Sequence, residues 1–129
     1  MSLLDVNPGE ARELEAVPAG QVDLSIISAE VVPLKNDPQK SQIALVFRVE
    51  GVDNALPIRD WIGVPHSSDD SALVNRKLLR LKTFCEAFDY DYSNGIETEE
   101  LPGLAGKAIV KVEHDEEYGD QNRISRYVV

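Results

Sequence analysis

Residues 67–88, SSDDSALVNRKLLRLKTFCEAF, decide the fold, because they predict a helix in a chain whose other patterned segments alternate like β-strands. Val74, Leu78, Leu81, Cys85 and Phe88 follow one another at alternating spacings of four and three, which places them on one helix face. The serines and aspartates that open the run supply N-capping residues and acids for the first turn. The segment therefore predicts one amphipathic helix.

Strand patterns lie on both sides of this helix. Each is rich in β-branched or aromatic residues and is bounded by turn formers. Three precede the helix and two follow it, at residues 21–34, 42–51, 56–64, 106–114 and 122–129. Three strands, one helix and two strands (β-β-β-α-β-β) are the order of the five-stranded oligonucleotide/oligosaccharide-binding (OB) fold, whose helix plugs the barrel between strands three and four. We therefore predict a mainly β, OB-type Greek-key barrel.

Length and composition are those of a single folded domain. The chain has 129 residues, of which 43% are hydrophobic and 28% charged, so it is long enough to bury a core without disulfides. Residues 1–20 carry four acids against a single Arg12, with prolines and glycines between them, and predict an acidic arm that is flexible or loosely docked. Residues 21–129 form the predicted barrel domain.

The cysteine count and the absence of leader-like segments predict a location. Cys85 is the only cysteine, so no internal disulfide can form, which favours a reducing compartment. The N-terminus lacks a basic region and a long apolar run, and no stretch approaches the roughly 20 apolar residues that span a bilayer. We expect a soluble, cytoplasmic protein that does not use a membrane.

A family resemblance covers residues 17–128. Its most specific parts are AGQVDLSI, the LAGKAIVKVE strand and the YGDQNRI turn before the final strand. In these parts the chain resembles a phage-encoded family found near replication and recombination functions. The resemblance implies an OB fold similar to single-stranded-DNA-binding proteins, acting in the host cytoplasm. One departure is that many such proteins end in an acidic tail, whereas this sequence ends at Arg126-Tyr127-Val128-Val129.

A protein that holds single strands without base readout needs cations along the backbone and aromatic faces on which bases stack. OB folds place these groups on strands two and three and on the loops joining strands one to two and four to five. The residues predicted here to bind nucleic acid are Lys35, Lys40, Arg48, Arg59, Trp61, Lys107, Lys111, Tyr118, Arg123, Arg126 and Tyr127.

Alternation along the third strand leaves two interpretations of Trp61 open. Arg59 and Trp61 share one face, while Ile58, Asp60 and Ile62 share the other. If Trp61 faces outward, it forms a stacking platform and Asp60 needs a buried partner. If it faces inward, it is a core aromatic.

The sequence contains little that indicates catalysis or metal binding. No glycine-rich phosphate loop, nucleophile elbow or paired-carboxylate motif is present, so we predict neither an enzyme nor a cofactor. The acids at 115–117 and 120 lack the spacing of a calcium loop, and neither histidine belongs to a metal-ligand motif. Cys85 lies on the apolar helix stripe and is predicted to be a core residue.

Two main functions remain. The net charge of −10 bears on the choice between them, because it weakens attraction to phosphates. The first is single-stranded-DNA binding in phage replication or recombination, with phage or host replication proteins as further partners and a homodimer as one way to extend the surface. The second is an acidic interaction barrel without DNA affinity, either a recombination accessory or an inhibitor that mimics DNA. A virion component is a third, weaker alternative. Clustering of Arg48, Arg59, Trp61 and Arg126 on one open face would favour DNA.

Overall fold

A computed structural model describes residues 3–129. Its strands are β1 (Gly20–Pro33), β2 (Ser41–Val49), β3 (Ile58–Gly63), β4 (Ala105–Asp115) and β5 (Gly119–Val128), and its one α-helix is α1 (Ser71–Ala87). Two single-turn 3-10 helices lie at Pro8–Glu10 and Thr98–Glu100. The predicted order of strands and helix is confirmed, as is the cap: the Asp70 side chain accepts from the Leu73 N–H at 2.8 Å.

All five strands form one antiparallel sheet in the order β3-β2-β1-β4-β5. The long central strand β1 pairs with β4 through its first half and with β2 through its second half, and the two ladders overlap at Leu24 and Ser25. A register shift between Ile26 and Ser28 marks a bulge in β1. Bulges bend a strand and increase its twist, so this one helps the sheet to curl around its core.

The predicted barrel does not close through backbone hydrogen bonds. Across residues 3–129, no ladder joins β3 to β5. Side chains connect the two edge strands instead: the Tyr127 hydroxyl of β5 donates to Asp60 Oδ2 of β3 at 2.5 Å, and Arg80 of α1 pairs with the same oxygen at 2.7 Å. We call this junction between β3 and β5 the seam.

The core lies between the inner face of the sheet and α1. At its centre, the rings of Phe47, Phe84, Phe88 and Tyr127 have centroids 5.1–6.2 Å apart. The predicted helix stripe is right at Leu81, Cys85 and Phe88, which are buried, and wrong at Leu78, which is 51% exposed. The remaining buried hydrophobic residues are Val17, Leu24, Ile26, Ile43, Leu45, Val49, Ile58, Ile62, Leu101, Ala108 and Val110.

Gly106 allows the end of α1 to rest directly on β4. A Cβ at this position would lie 2.7 Å from the carbonyl oxygen of Ala87 and 2.9 Å from the ring of Phe88. These distances are shorter than van der Waals contact, so only glycine fits without displacing the helix. The close approach brings Phe88 into the core.

The acidic N-terminal segment contacts the domain through its last residues. The Val17 N–H donates to Asn122 Oδ1 at 2.8 Å, and Asn122 Nδ2 donates to the Val17 carbonyl at 2.9 Å. Glu15 forms a backbone bridge to the segment before β3, with hydrogen bonds to Asn54 and Leu56. Residues 3–14 are exposed, and Met1 and Ser2, which open the predicted arm, lie outside the described residues.

Asp69 joins the loop before β2 to the start of α1. Its fully buried carboxylate lies 2.7 Å from Lys77 Nζ and 2.9 Å from Lys40 Nζ, and it accepts from the His66 N–H at 3.0 Å. The two ammonium groups, Lys77 first, and this N–H hold the pKa of Asp69 well below its usual range. Lys40, predicted to contact nucleic acid, is therefore part of a structural contact.

We expect Asp69→Asn to destabilise the protein at neutral pH, and the deficit to shrink in acid. An unfolded aspartate has a pKa of about 3.9 and the folded-state pKa of Asp69 is lower, so the stabilisation is complete above about pH 5 and is lost as the pH falls through the folded pKa. Urea denaturation of both proteins from about pH 7 to 3 measures the deficit. A deficit that stays constant with pH would contradict this assignment. Asp70→Asn is the matched control, because asparagine caps helices as well as aspartate does.

Within residues 3–129, no helix combines the length and the apolar character needed to cross a membrane.

Candidate nucleic-acid interface

The outer face of β3 presents Trp61 and Arg59. Directly paired residues in a sheet point to the same side, and Trp61 pairs with Ala44 while Arg59 pairs with Val46. Their neighbours Ile58 and Ile62 are buried on the inner face, so Trp61 points outward and is 44% exposed. The core interpretation of Trp61 is wrong. The buried partner that the outward interpretation requires for Asp60 is Tyr127, and the exposed Arg80 pairs with the same carboxylate.

Arg48 lies on the same outer face, two residues along β2 from Val46. It pairs with Ser25 of β1, and its guanidinium contacts Glu50 at 3.1 Å. Arg59, in contrast, has no carboxylate oxygen within 4.0 Å in the part of the chain that the structure describes. Three of the predicted residues, Arg48, Arg59 and Trp61, therefore share one face.

A cavity at the seam brings Arg59 of β3 together with Arg123 of β5. Its volume is about 190 Å³, and its wall consists of Leu56, Pro57, Arg59, Gln121, Asn122 and Arg123. Arg123 reaches Glu113 through Nε at 3.2 Å. Two predicted cations that are 64 positions apart in the sequence thus line one pocket, which we call the seam pocket.

A second cavity adjoins the seam pocket at Leu56. It measures about 460 Å³ and lies between the N-terminal segment and the β4–β5 hairpin, where Leu14, Val112 and Tyr118 contribute to its wall. Tyr118 is 68% exposed. Tyr118 thus lines the cavity next to the seam pocket, and Trp61 lies two residues beyond Arg59 on β3.

The remaining predicted cations do not line the seam pocket, although Lys111 is the cross-strand partner of Arg123 and shares Glu113 with it. Lys107 lies 3.9 Å from Asp23 and Lys111 lies 3.1 Å from Glu113, both on the outer face of β4. Lys35 is exposed in the loop before β2. Arg126 is exposed on β5, where it pairs with Ile109 of β4.

Tyr127 lies in the core, where it cannot stack on a base. It is 5% exposed, and its ring packs 5.3 Å from that of Phe84. Burial, followed by the carboxylate of Asp60, raises the pKa of the phenol far above its usual value. Tyr127, although predicted to bind nucleic acid, is therefore not part of the interface.

Some residues of the site could not be recognised from the sequence. Leu56, Pro57 and Gln121 line the seam pocket only because β3 and β5 approach each other. Asp60 could be recognised from the sequence as an acid on the inward face of a strand, but its partners could not be identified there. Non-local approach of two strands leaves no periodic pattern in either of them.

The described residues 3–129 bring no three His, Cys, Asp or Glu side chains together in a way that could hold a metal ion. His114 Nδ1 and Asp120 Oδ1 make an isolated pair at 2.9 Å in the β4–β5 hairpin. Cys85 is a buried core residue, as predicted, and burial raises the pKa of its thiol to about 11.

No protein-family model matches the sequence, and the search of curated proteins likewise gives no significant match. The resemblance to phage-encoded proteins remains a prediction. The geometry of the outer face and the seam pocket is what supports a function.

Proposed function

We propose that this protein is an OB-type barrel that binds single-stranded DNA in a phage replication or recombination module, working in the host cytoplasm. The strand order β3-β2-β1-β4-β5, with α1 between β3 and β4, supports the fold, because in an OB barrel the two end strands of this order are neighbours. The Asp60–Tyr127 hydrogen bond at the seam holds them side by side.

The observation that carries the proposal is the exposed Trp61 beside Arg59, which has no acidic partner among residues 3–129. An indole that is 44% exposed on the outer face of β3 exposes apolar surface to water without contributing to the core. A stacked base would cover that surface, and each stacked base contributes about 1–3 kcal/mol. This face is the one on which OB folds bind their ligands.

The net charge of −10 does not prevent such binding, because the local arrangement of charges governs attraction. Arg48 and Arg123 each have one acidic partner, Glu50 and Glu113, at the surface. Exposed ion pairs contribute only about 0–1 kcal/mol, so a phosphate can take over the guanidinium at low cost. Glu30, in the same row as Ala44 and Trp61, limits the positive area on the β1 side.

A second candidate function, an acidic interaction barrel that binds a protein partner, is favoured by the ion pairs. Of the 13 lysines and arginines, seven have a carboxylate oxygen within 4.0 Å: Lys40, Arg48, Lys77, Arg80, Lys107, Lys111 and Arg123. This leaves little free positive charge on an acidic surface.

Fluorescence anisotropy of a labelled strand of ~30 nucleotides, with duplex as competitor, tests the proposal. Two or three phosphate contacts predict that affinity falls about 7- to 18-fold between about 50 and 200 mM salt, since each contact adds about 0.7 to the slope for a single strand. Preference for the single strand with this salt dependence is the expected result. Absence of binding at low salt would overturn the proposal in favour of the interaction barrel.

A further inference from the structure

The seam pocket differs from neighbouring cavities in the chemistry of its wall. The adjoining cavity includes Glu15 and Asp120, and two cavities along β1 include Asp23 and Glu50. As lined by the described residues, the wall of the seam pocket contains two arginines and no carboxylate. In a chain with 23 acidic residues, this is a local excess of positive charge.

Both guanidinium groups have hydrogen-bonding capacity left. Among the described residues Arg59 has no acidic partner, and Arg123 contacts Glu113 through Nε, which leaves its two terminal nitrogens free of side-chain partners. Two like charges that line one pocket repel each other, and an anion between them offsets that repulsion by attracting both. Arginine presents a planar set of donors that suits the oxygens of a phosphate.

We propose that the seam pocket is a phosphate site. It holds one phosphate group of the single-stranded DNA proposed above. The identity of that ligand rests on the proposed function. The pocket, at about 190 Å³, has room for several waters of about 30 Å³ each, so a phosphate fits together with part of its sugar. Leu56 and Pro57 supply the apolar wall against which the sugar packs.

The surroundings of the seam pocket fit a single DNA strand that crosses it. Trp61 follows Arg59 by two residues on the outer face of β3, and Tyr118 stands in the adjoining cavity on the other side. Bases on the two sides of the bound phosphate therefore have one aromatic ring each. The phosphate fixes the position of the backbone, and the rings hold the bases without reading their sequence.

Nuclear magnetic resonance of the arginine Nε–Hε groups tests the pocket directly. The chain has seven arginines, and Arg59→Lys and Arg123→Lys variants assign the two signals of interest. Titration with inorganic pyrophosphate at constant ionic strength is expected to shift the signals of Arg59 and Arg123 selectively. No shift, or an equal shift of all seven signals including that of exposed Arg12, would overturn the site.

Strand binding by Arg59→Gln and Arg123→Gln connects the pocket to the proposed function. Each variant is expected to bind about tenfold more weakly at low salt and to lose about 0.7 from the salt slope. Lys107→Gln, which removes an outward cation on β4, is the matched control and leaves the slope unchanged. Circular dichroism verifies that each variant is folded.

The outcomes separate the two proposals. If the strand binds and both arginine variants keep the full slope, the phosphate site is wrong and the proposed function stands. If pyrophosphate shifts the two signals but no strand binds, the proposed function is wrong and the pocket takes another phosphate compound. Strands with and without a terminal phosphate distinguish the two sources: tighter binding of the phosphorylated strand indicates an end, and equal binding indicates an internal phosphodiester.

Discussion

Replacing Phe47 with alanine is expected to lower the free energy of unfolding by about 3–5 kcal/mol. Phe47 is fully buried at the point where the sheet meets α1, and its ring stacks on that of Phe88 at a centroid distance of 5.5 Å. Its cross-strand partners, Ile26 and Ile58, are buried too. Removing the ring leaves a cavity that the helix and three strands cannot all fill by moving.

Val46→Ala is the control for this variant. Val46 precedes Phe47 on β2 and points to the outer face, where it pairs with Arg59. Urea denaturation followed by circular dichroism should give a loss below about 1 kcal/mol for Val46→Ala, because a surface change removes little buried area. Similar losses for both variants would contradict the assignment of the inner and outer faces of β2.

Replacing Trp61 with alanine is expected to weaken single-strand binding by about 1–3 kcal/mol, which corresponds to about 5- to 150-fold in affinity. The free energy of unfolding should change much less than for Phe47→Ala, because the indole is 44% exposed and lies outside the buried core. Anisotropy titration of the labelled strand measures the first effect, and urea denaturation measures the second.

Tyr92→Ala provides a matched control for Trp61→Ala. Tyr92 is also a partly exposed aromatic residue, but it lies after α1, where its hydroxyl donates to Glu86 at 3.2 Å. Its loss should leave strand binding unchanged. If Trp61→Ala folds normally and binds as tightly as the wild type, the stacking platform does not exist. A stability loss of about 3–5 kcal/mol for Trp61→Ala would instead place the indole in the core.

Local periodicity in the sequence was enough to predict the five strands, the α-helix and the two faces of β3, but not the two 3-10 helices. The spacing around Leu81 and Cys85 indicated the helix, and strict alternation separated Ile58 and Ile62 from Arg59 and Trp61. These features depend on contacts between residues that are near in sequence, for which the periods of 3.6 and 2 are direct signals.

Features that depend on distant parts of the chain could not be predicted in the same way. Phe84 is in the core and Leu78 is exposed, so the buried face of α1 is rotated relative to the predicted one, and Lys77 reaches Asp69. The alternation of residues along β5 predicts Tyr127 to be at the surface. At the seam, however, Tyr127 is buried and bonded to Asp60. The side-chain contacts that join β3 to β5 produce no periodic pattern in the sequence.

The burial of Cys85 makes this protein simple to label. The thiol is the only one in the chain, it is 1% exposed, and its pKa of about 11 leaves almost no thiolate at neutral pH. A maleimide dye would therefore react with a cysteine introduced at the surface and spare the native one. A Tyr118→Cys variant carrying such a dye would report, by energy transfer from the single tryptophan, any movement of the hairpin relative to β3.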